Sequence, residues 1–77
     1  MNIYGKVLAN NLKLYREQSN LTQNDIAERA NMSVRGYGKI ERCEVSPSLK
    51  TIEALAAAIE TTPDKLLSTS FLQGINR

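Results

Sequence analysis

Few side chains in these 77 residues could do chemistry, and their kinds narrow the possibilities at once. There is no histidine and a single cysteine, Cys43. That composition excludes a Cys/His zinc site and any Cys–His or Ser–His catalytic pair. No glycine-rich phosphate loop is present, and Asp25, Glu28 and Glu44 are placed as caps and solvated faces rather than as paired carboxylates. The sequence therefore predicts no enzyme, no metal site and no cofactor. What remains is a run of hydrogen-bond donors from Gln23 to Lys50, among them Arg35, Lys39 and Arg42. Arg35 and Lys39 are four apart, so on a helix they share a face. Such heads can bond the O6 and N7 edge of guanine or grip a phosphate, and the same spacing also describes an ordinary solvated face.

Those donors need rigid elements behind them, and the apolar spacing supplies helices. There is no sustained alternation and few β-branched residues, so no strand is expected. Five helical segments follow from periodicity and caps. The first runs from about Ile3 to Gln18, with Leu8, Leu12 and Tyr15 in one stripe; Ser19-Asn20 ends it, because Asn tolerates the left-handed conformation of a helix stop. The second, about Gln23 to Ala30, has Thr22 as N-cap, Asp25 in the first turn, and Ile26, Ala27 and Ala30 facing inward. The third, about Val34 to Arg42, is capped by Ser33 and turns Tyr37 and Ile40 inward. Gly36 and Gly38 weaken it by ~0.5–1 kcal/mol each relative to Ala. The fourth, about Leu49 to Ile59, is capped by Ser48 and stripes Leu49, Ile52, Leu55 and Ile59. The fifth is short, about Pro63 to Ser68, with Thr62 as cap, Pro63 at its first position, and Leu66 and Leu67 as its apolar face.

The length is that of one domain, which buries only ~60% of the surface its unfolded chain exposes and has no room for a deep cleft beside its core. No apolar run approaches ~18 residues, and Met1 to Gly5 lacks a secretion pattern, so neither membrane nor export is expected. A single cysteine permits no internal disulfide and fits a cytoplasmic protein. The net charge of +2 does not by itself announce a polyanion partner. The case rests on pattern.

Gln23 to Arg42 reads as two short helices joined by a three- or four-residue turn, the helix-turn-helix plan. Ala27 is the small residue a close helix crossing needs. Asn31 fills the turn position that favours positive φ, and Met32 follows as an apolar plug. Ser33 starts the second helix sharply, so that its N-terminal end can be presented.

With these residues the chain resembles the Cro/C1-type (XRE-like) helix-turn-helix regulators, which include lambdoid phage repressors and controller proteins of restriction-modification systems. The match is carried by Arg16, Leu21-Thr22-Gln23, Ile26-Ala27, Met32-Ser33, Lys39-Ile40-Glu41-Arg42, Ser46-Pro47-Ser48-Leu49, Ile52-Glu53-Ala54-Leu55-Ala56, Ala58-Ile59 and Thr62-Pro63-Asp64-Lys65-Leu66-Leu67. It covers roughly residues 8 to 68. It implies an all-α, five-helix, lambda-repressor-like domain spanning 1–77, with the helix-turn-helix at about 23–42 and a tail at 69–77.

The resemblance also assigns roles. Gln23 looks like a phosphate-contacting glutamine. Val34, Arg35 and Lys39 fall where the family reads base edges, with Gly38 beside them and Ser33 in the same DNA-binding set; Val34 suits a thymine methyl or packing on Tyr37. Arg42 and Lys50 flank the DNA backbone, and Arg16 with Glu41 matches a pair joining the first and third helices. The implied function is sequence-specific binding of double-stranded DNA by a transcriptional regulator, a repressor or autoregulator, working as a homodimer. Leu66, Leu67, Phe71, Leu72 and Ile75 are the candidate interface, although the same residues could close a monomer. The other reading is a protein-interaction module or antitoxin-like partner on this fold. A chain this short leaves no room for a sensor domain, so no small-molecule effector is expected. The sequence departs from the family's usual glycine at Asn31 and Cys43, and from side-chain-bearing residues at Gly36 and Gly38.

Overall fold

The computed structural model describes residues 3–69, so Phe71, Leu72 and Ile75 lie outside the described residues. Five helices follow one another: α1 (Ile3–Gln18), α2 (Gln23–Arg29), α3 (Val34–Glu41), α4 (Leu49–Ala58) and α5 (Pro63–Leu66). No strand occurs among the described residues. The predicted helices are all present. α5 stops two residues short of the expected Ser68.

Local chemistry explains where each helix begins. Thr22 Oγ1 accepts from the Asp25 N–H at 3.0 Å, and Asp25 Oδ2 accepts from the Thr22 N–H at 2.8 Å, a reciprocal capping box. Ser33 Oγ accepts from Gly36 N–H at 3.0 Å and Ser48 Oγ from Thr51 N–H at 3.2 Å. Thr62 stands at the N-cap of α5 as expected, though without a side-chain cap bond, and Pro63 at the first helical position fixes φ.

The ends of α1 to α4 share one device. Asn20, Asn31, Cys43 and Glu60 have φ of 57°, 58°, 63° and 57°. At each, the next residue's N–H bonds back across the last turn: Leu21 to Arg16 O, Met32 to Ala27 O, Glu44 to Lys39 O and Thr61 to Ala56 O. This is the Schellman closure, built here without glycine. Asn20 and Asn31 were legible as such stops, and Glu60 was not.

These ends bring the helices around a single core of Leu8, Leu12, Ile26, Ala27, Tyr37, Ile40, Leu55, Ala56, Ile59 and Leu66. Tyr15, Leu21, Ala30, Met32, Ile52 and Leu67 pack against it. One predicted stripe member fails: Leu49 is 67% exposed, because it opens α4 beyond the edge of the core that half-buried Ile52 marks. Asn11, unnoticed in the sequence, is buried, and its Nδ2 donates to Leu66 O at 2.8 Å and Ser68 O at 3.0 Å. Those carbonyls terminate α5, so Asn11 ties α5 to α1.

Leu66 itself is wholly buried in the monomer's core, which corrects its assignment to a dimer interface: a side chain with no exposed surface has none to offer a second copy. Leu67 is half-buried on the same core.

A glutamate in the left-handed region carries a backbone cost of ~1–2 kcal/mol that glycine avoids, partly offset by glycine's greater freedom when unfolded. Glu60→Gly is therefore expected to stabilise the domain by about 1 kcal/mol, raising Tm by roughly 4–8 °C in a calorimetric scan. An unchanged or lower Tm would mean that the αL cost at this helix end is already offset by the Glu60 side chain.

Candidate nucleic-acid interface

α2 and α3 pack closely because Ala27, 1% exposed, sits at their crossing. Ile26, Tyr37 and Ile40 fill the space beneath, with Met32 from the turn beside them. Asn31 in the left-handed region makes the turn tight, and the Ser33 cap starts α3 abruptly. α3 is thus fixed on its inner face while Ser33, Val34 and Arg35 stand exposed at its beginning. Lys39, one turn after Arg35, is half-buried.

Behind this surface lies a polar junction of three helices. The Glu41 carboxylate, with only 5% of its side chain exposed, receives four donors. Arg16 from α1 donates Nε to Oε2 and Nη2 to Oε1, each at 2.9 Å. The Tyr37 hydroxyl donates to Oε2 at 2.6 Å, and Gln23 Nε2 from α2 donates to Oε1 at 3.1 Å. Arg16 spends its Nη1 on Leu21 O at 3.0 Å, in the turn between α1 and α2. A planar guanidinium meeting a carboxylate through two parallel bonds is the strongest geometry such a pair adopts. Burial pushes the Glu41 carboxyl up, but the bonds from Arg16, Tyr37 and Gln23 outweigh it and leave the group below its ordinary value of 4.5. Burial first, and the Glu41 carboxylate second, push the Tyr37 hydroxyl well above its usual 10.0, so it remains a donor.

The paired role expected of Arg16 and Glu41 is what their geometry shows. Gln23, expected at a phosphate, spends one amide proton on Glu41; an amide carries two. Arg42 caps the end of α3, its Nε bonded to Glu44 Oε2 at 2.6 Å in an exposed pair. Gly38 is buried. Lys50 is exposed in the first turn of α4 and borders a shallow cleft with Asn31 and Met32. Sequence reasoning missed the Tyr37 hydroxyl and Gln23 as partners of Glu41. The first had a signal in the i, i+4 spacing of Tyr37 and Glu41; the second, eighteen residues apart, had none.

The geometry is that of a helix-turn-helix, and the HTH_3 helix-turn-helix family pattern matches residues 12–66. The chain belongs to this family. Members of HTH_3 are DNA-binding transcriptional regulators rather than enzymes. The chain is 35% identical over 68 residues to the control protein C.SmaI of Serratia marcescens, a match covering 88% of this chain and 81% of that protein. It is 44% identical over 48 residues to the immunity repressor of Bacillus phage phi105, across 62% of this chain and 33% of the repressor. Among solved structures, the restriction-modification controller protein C.AhdI of Aeromonas hydrophila superposes with a TM-score of 0.77 at 26% identity, covering 80% of this chain and 94% of that one. The resemblance read from the sequence is correct in family and in fold.

The junction makes a stability prediction. Removing one partner of a buried ion pair strands the other, at ~3–5 kcal/mol. Glu41→Ala is expected to lower Tm far more than Glu44→Ala, whose pair is exposed on both sides. The folded-state pKa of Glu41 lies below its unfolded value, so its contribution is present above about pH 4.5 and is lost as pH falls through the folded value. In denaturant titrations across that window, the stability gap between the parent and Glu41→Gln should narrow with acid. A gap independent of pH, or equal effects at positions 41 and 44, would place Glu41 among ordinary surface residues.

Proposed function

We propose that this chain reads a specific operator by laying α3 in the major groove of double-stranded DNA, as one half of a homodimer that represses or autoregulates transcription. The observation that carries the reading is the presentation of α3. Its inner face is locked by Tyr37 and Ile40, while its Ser33-capped start leaves Val34 and Arg35 exposed. A reading helix has to be rigid behind and bare in front, with its N-terminal residues toward the bases. Arg35 and Lys39 supply the base-edge donors, Val34, 45% exposed, suits a thymine methyl, and exposed Ser33 lines the approach. Gln23, Arg42 and Lys50 hold the phosphate backbone on either side.

The names borne by the relatives, control protein and immunity repressor, support a regulatory role. A single short helix covers few base pairs, which favours two copies on one site. With Leu66 committed to the monomer's core, the interface is assigned to Leu67 together with Phe71, Leu72 and Ile75. No described helix is long and apolar enough to cross a membrane. The proposed place of action is the cytoplasm, where such a regulator meets its DNA.

Affinity and specificity should separate on this surface. Gln23→Ala is expected to weaken binding to every duplex by a similar factor. Arg35→Ala should cost ~1–3 kcal/mol on the cognate site and flatten preference at one base-pair position. Competition of each variant against the cognate site and its single-base variants measures both. If Arg35→Ala kept full base preference, Arg35 would be a phosphate clamp. If the parent showed no salt-dependent retention on DNA, the domain would be a protein-interaction module instead.

A further inference from the structure

Gly38 is buried midway along α3, although it lies on the same face as exposed Val34 and Arg42, at i−4 and i+4. The space beside it is bordered by polar side chains. A Cβ built on Gly38 would stand 2.9 Å from Arg42 Nη1, 3.7 Å from Arg42 Cζ and 3.7 Å from Gln23 Oε1. The Arg42 guanidinium therefore folds back along α3 into the space a side chain at 38 would take, a space that Gln23 Oε1 also borders. Glu44 Oε2 accepts from this guanidinium's Nε at 2.6 Å, and its Nη1 extends over Gly38. The Arg42 guanidinium and the Gln23 carboxamide, whose Oε1 faces this space and whose Nε2 is bonded to Glu41, thus border one small patch at the edge between α2 and α3.

We propose that Gly38 is a positioning residue for DNA binding: by leaving its side-chain space empty it seats Arg42 beside Gln23, and the two form a joint clamp on one backbone phosphate. This rests on the DNA-binding reading above and adds to it a role for the missing side chain. A phosphate oxygen accepts from the outward guanidinium nitrogens, and another from the second amide proton of Gln23. The contact carries no base information and releases about one counterion when it forms.

The test is a double-mutant cycle on the full chain with Gly38→Ala, Arg42→Ala and the two together. Binding to a short mixed-sequence duplex is followed by anisotropy over a series of KCl concentrations, with Tm measured for each protein. An added Cβ meets only the far end of a flexible side chain, and Ala favours helix over Gly, so Gly38→Ala should melt no lower than the parent. It should nevertheless bind roughly tenfold more weakly, with the salt slope reduced by about one, as Arg42→Ala should. The double variant should bind no worse than Arg42→Ala alone. Parental affinity and slope in Gly38→Ala would overturn the proposal. Losses that multiply in the double variant would also overturn it, since Gly38 would then meet DNA through its own backbone. A parent that binds no duplex at all would remove the DNA-binding reading itself, and this clamp with it.

Discussion

Everything that faces outward in this domain depends on one buried carboxylate. Glu41 sits at the end of α3 with Arg16 of α1, Gln23 of α2 and Tyr37 of its own helix all donating to it. A buried carboxylate without partners carries a desolvation penalty of several kcal/mol, so the three helices are constrained to keep their donors within bonding distance. Hydrophobic contact alone would let α3 slide or rotate by small amounts on α1 and α2. A bidentate guanidinium–carboxylate pair has a defined plane and allows much less. The orientation of α3 is thus set by a directional interaction, and the apolar core supplies the bulk of the cohesion around it.

The second constraint is the tightness of the helix ends. Left-handed residues at 20, 31, 43 and 60 each reverse the chain within a turn. Three of these lie next to the proposed DNA-facing region: Leu21, which follows Asn20, offers its carbonyl to Arg16; Asn31 aims α3; and Cys43 passes the chain to Glu44, the partner of Arg42. Backbone closure and side-chain placement are the same events here, which is why turn residues in this region bear on binding as well as on folding.

Much of this was legible because the informative residues are local. Caps at Thr22, Ser33 and Ser48, the small Ala27, the Asn31 turn and, Leu49 apart, the helical stripes each report on a few neighbouring positions, and each is found as expected. The pairing of Arg16 with Glu41 came from family resemblance, since residues 25 apart leave no mark in a periodicity. What could not be read depends on three-dimensional placement. Asn11 has the composition of a surface residue, yet it meets the carbonyls that end α5. Leu66 reads as one more apolar residue near a sticky tail, yet it closes the core. Leu49 keeps the stripe's spacing but lies past its edge. Gly38 reads as a weakness in a helix, and its meaning appears only when Arg42 is found in the space it leaves.

The rigid junction, the tight turns and the bare start of α3 all serve one claim, that α3 reads base edges in the major groove from each half of a dimer. Selection of bound duplexes from a random-sequence pool, followed by sequencing, tests it most directly. Enrichment of an inverted repeat is expected, with half-site centres about one helical turn, 34–36 Å, apart or a multiple of it. A pool that is retained in a salt-dependent way but enriches no sequence, or enriches only a lone half-site at full affinity, would contradict it.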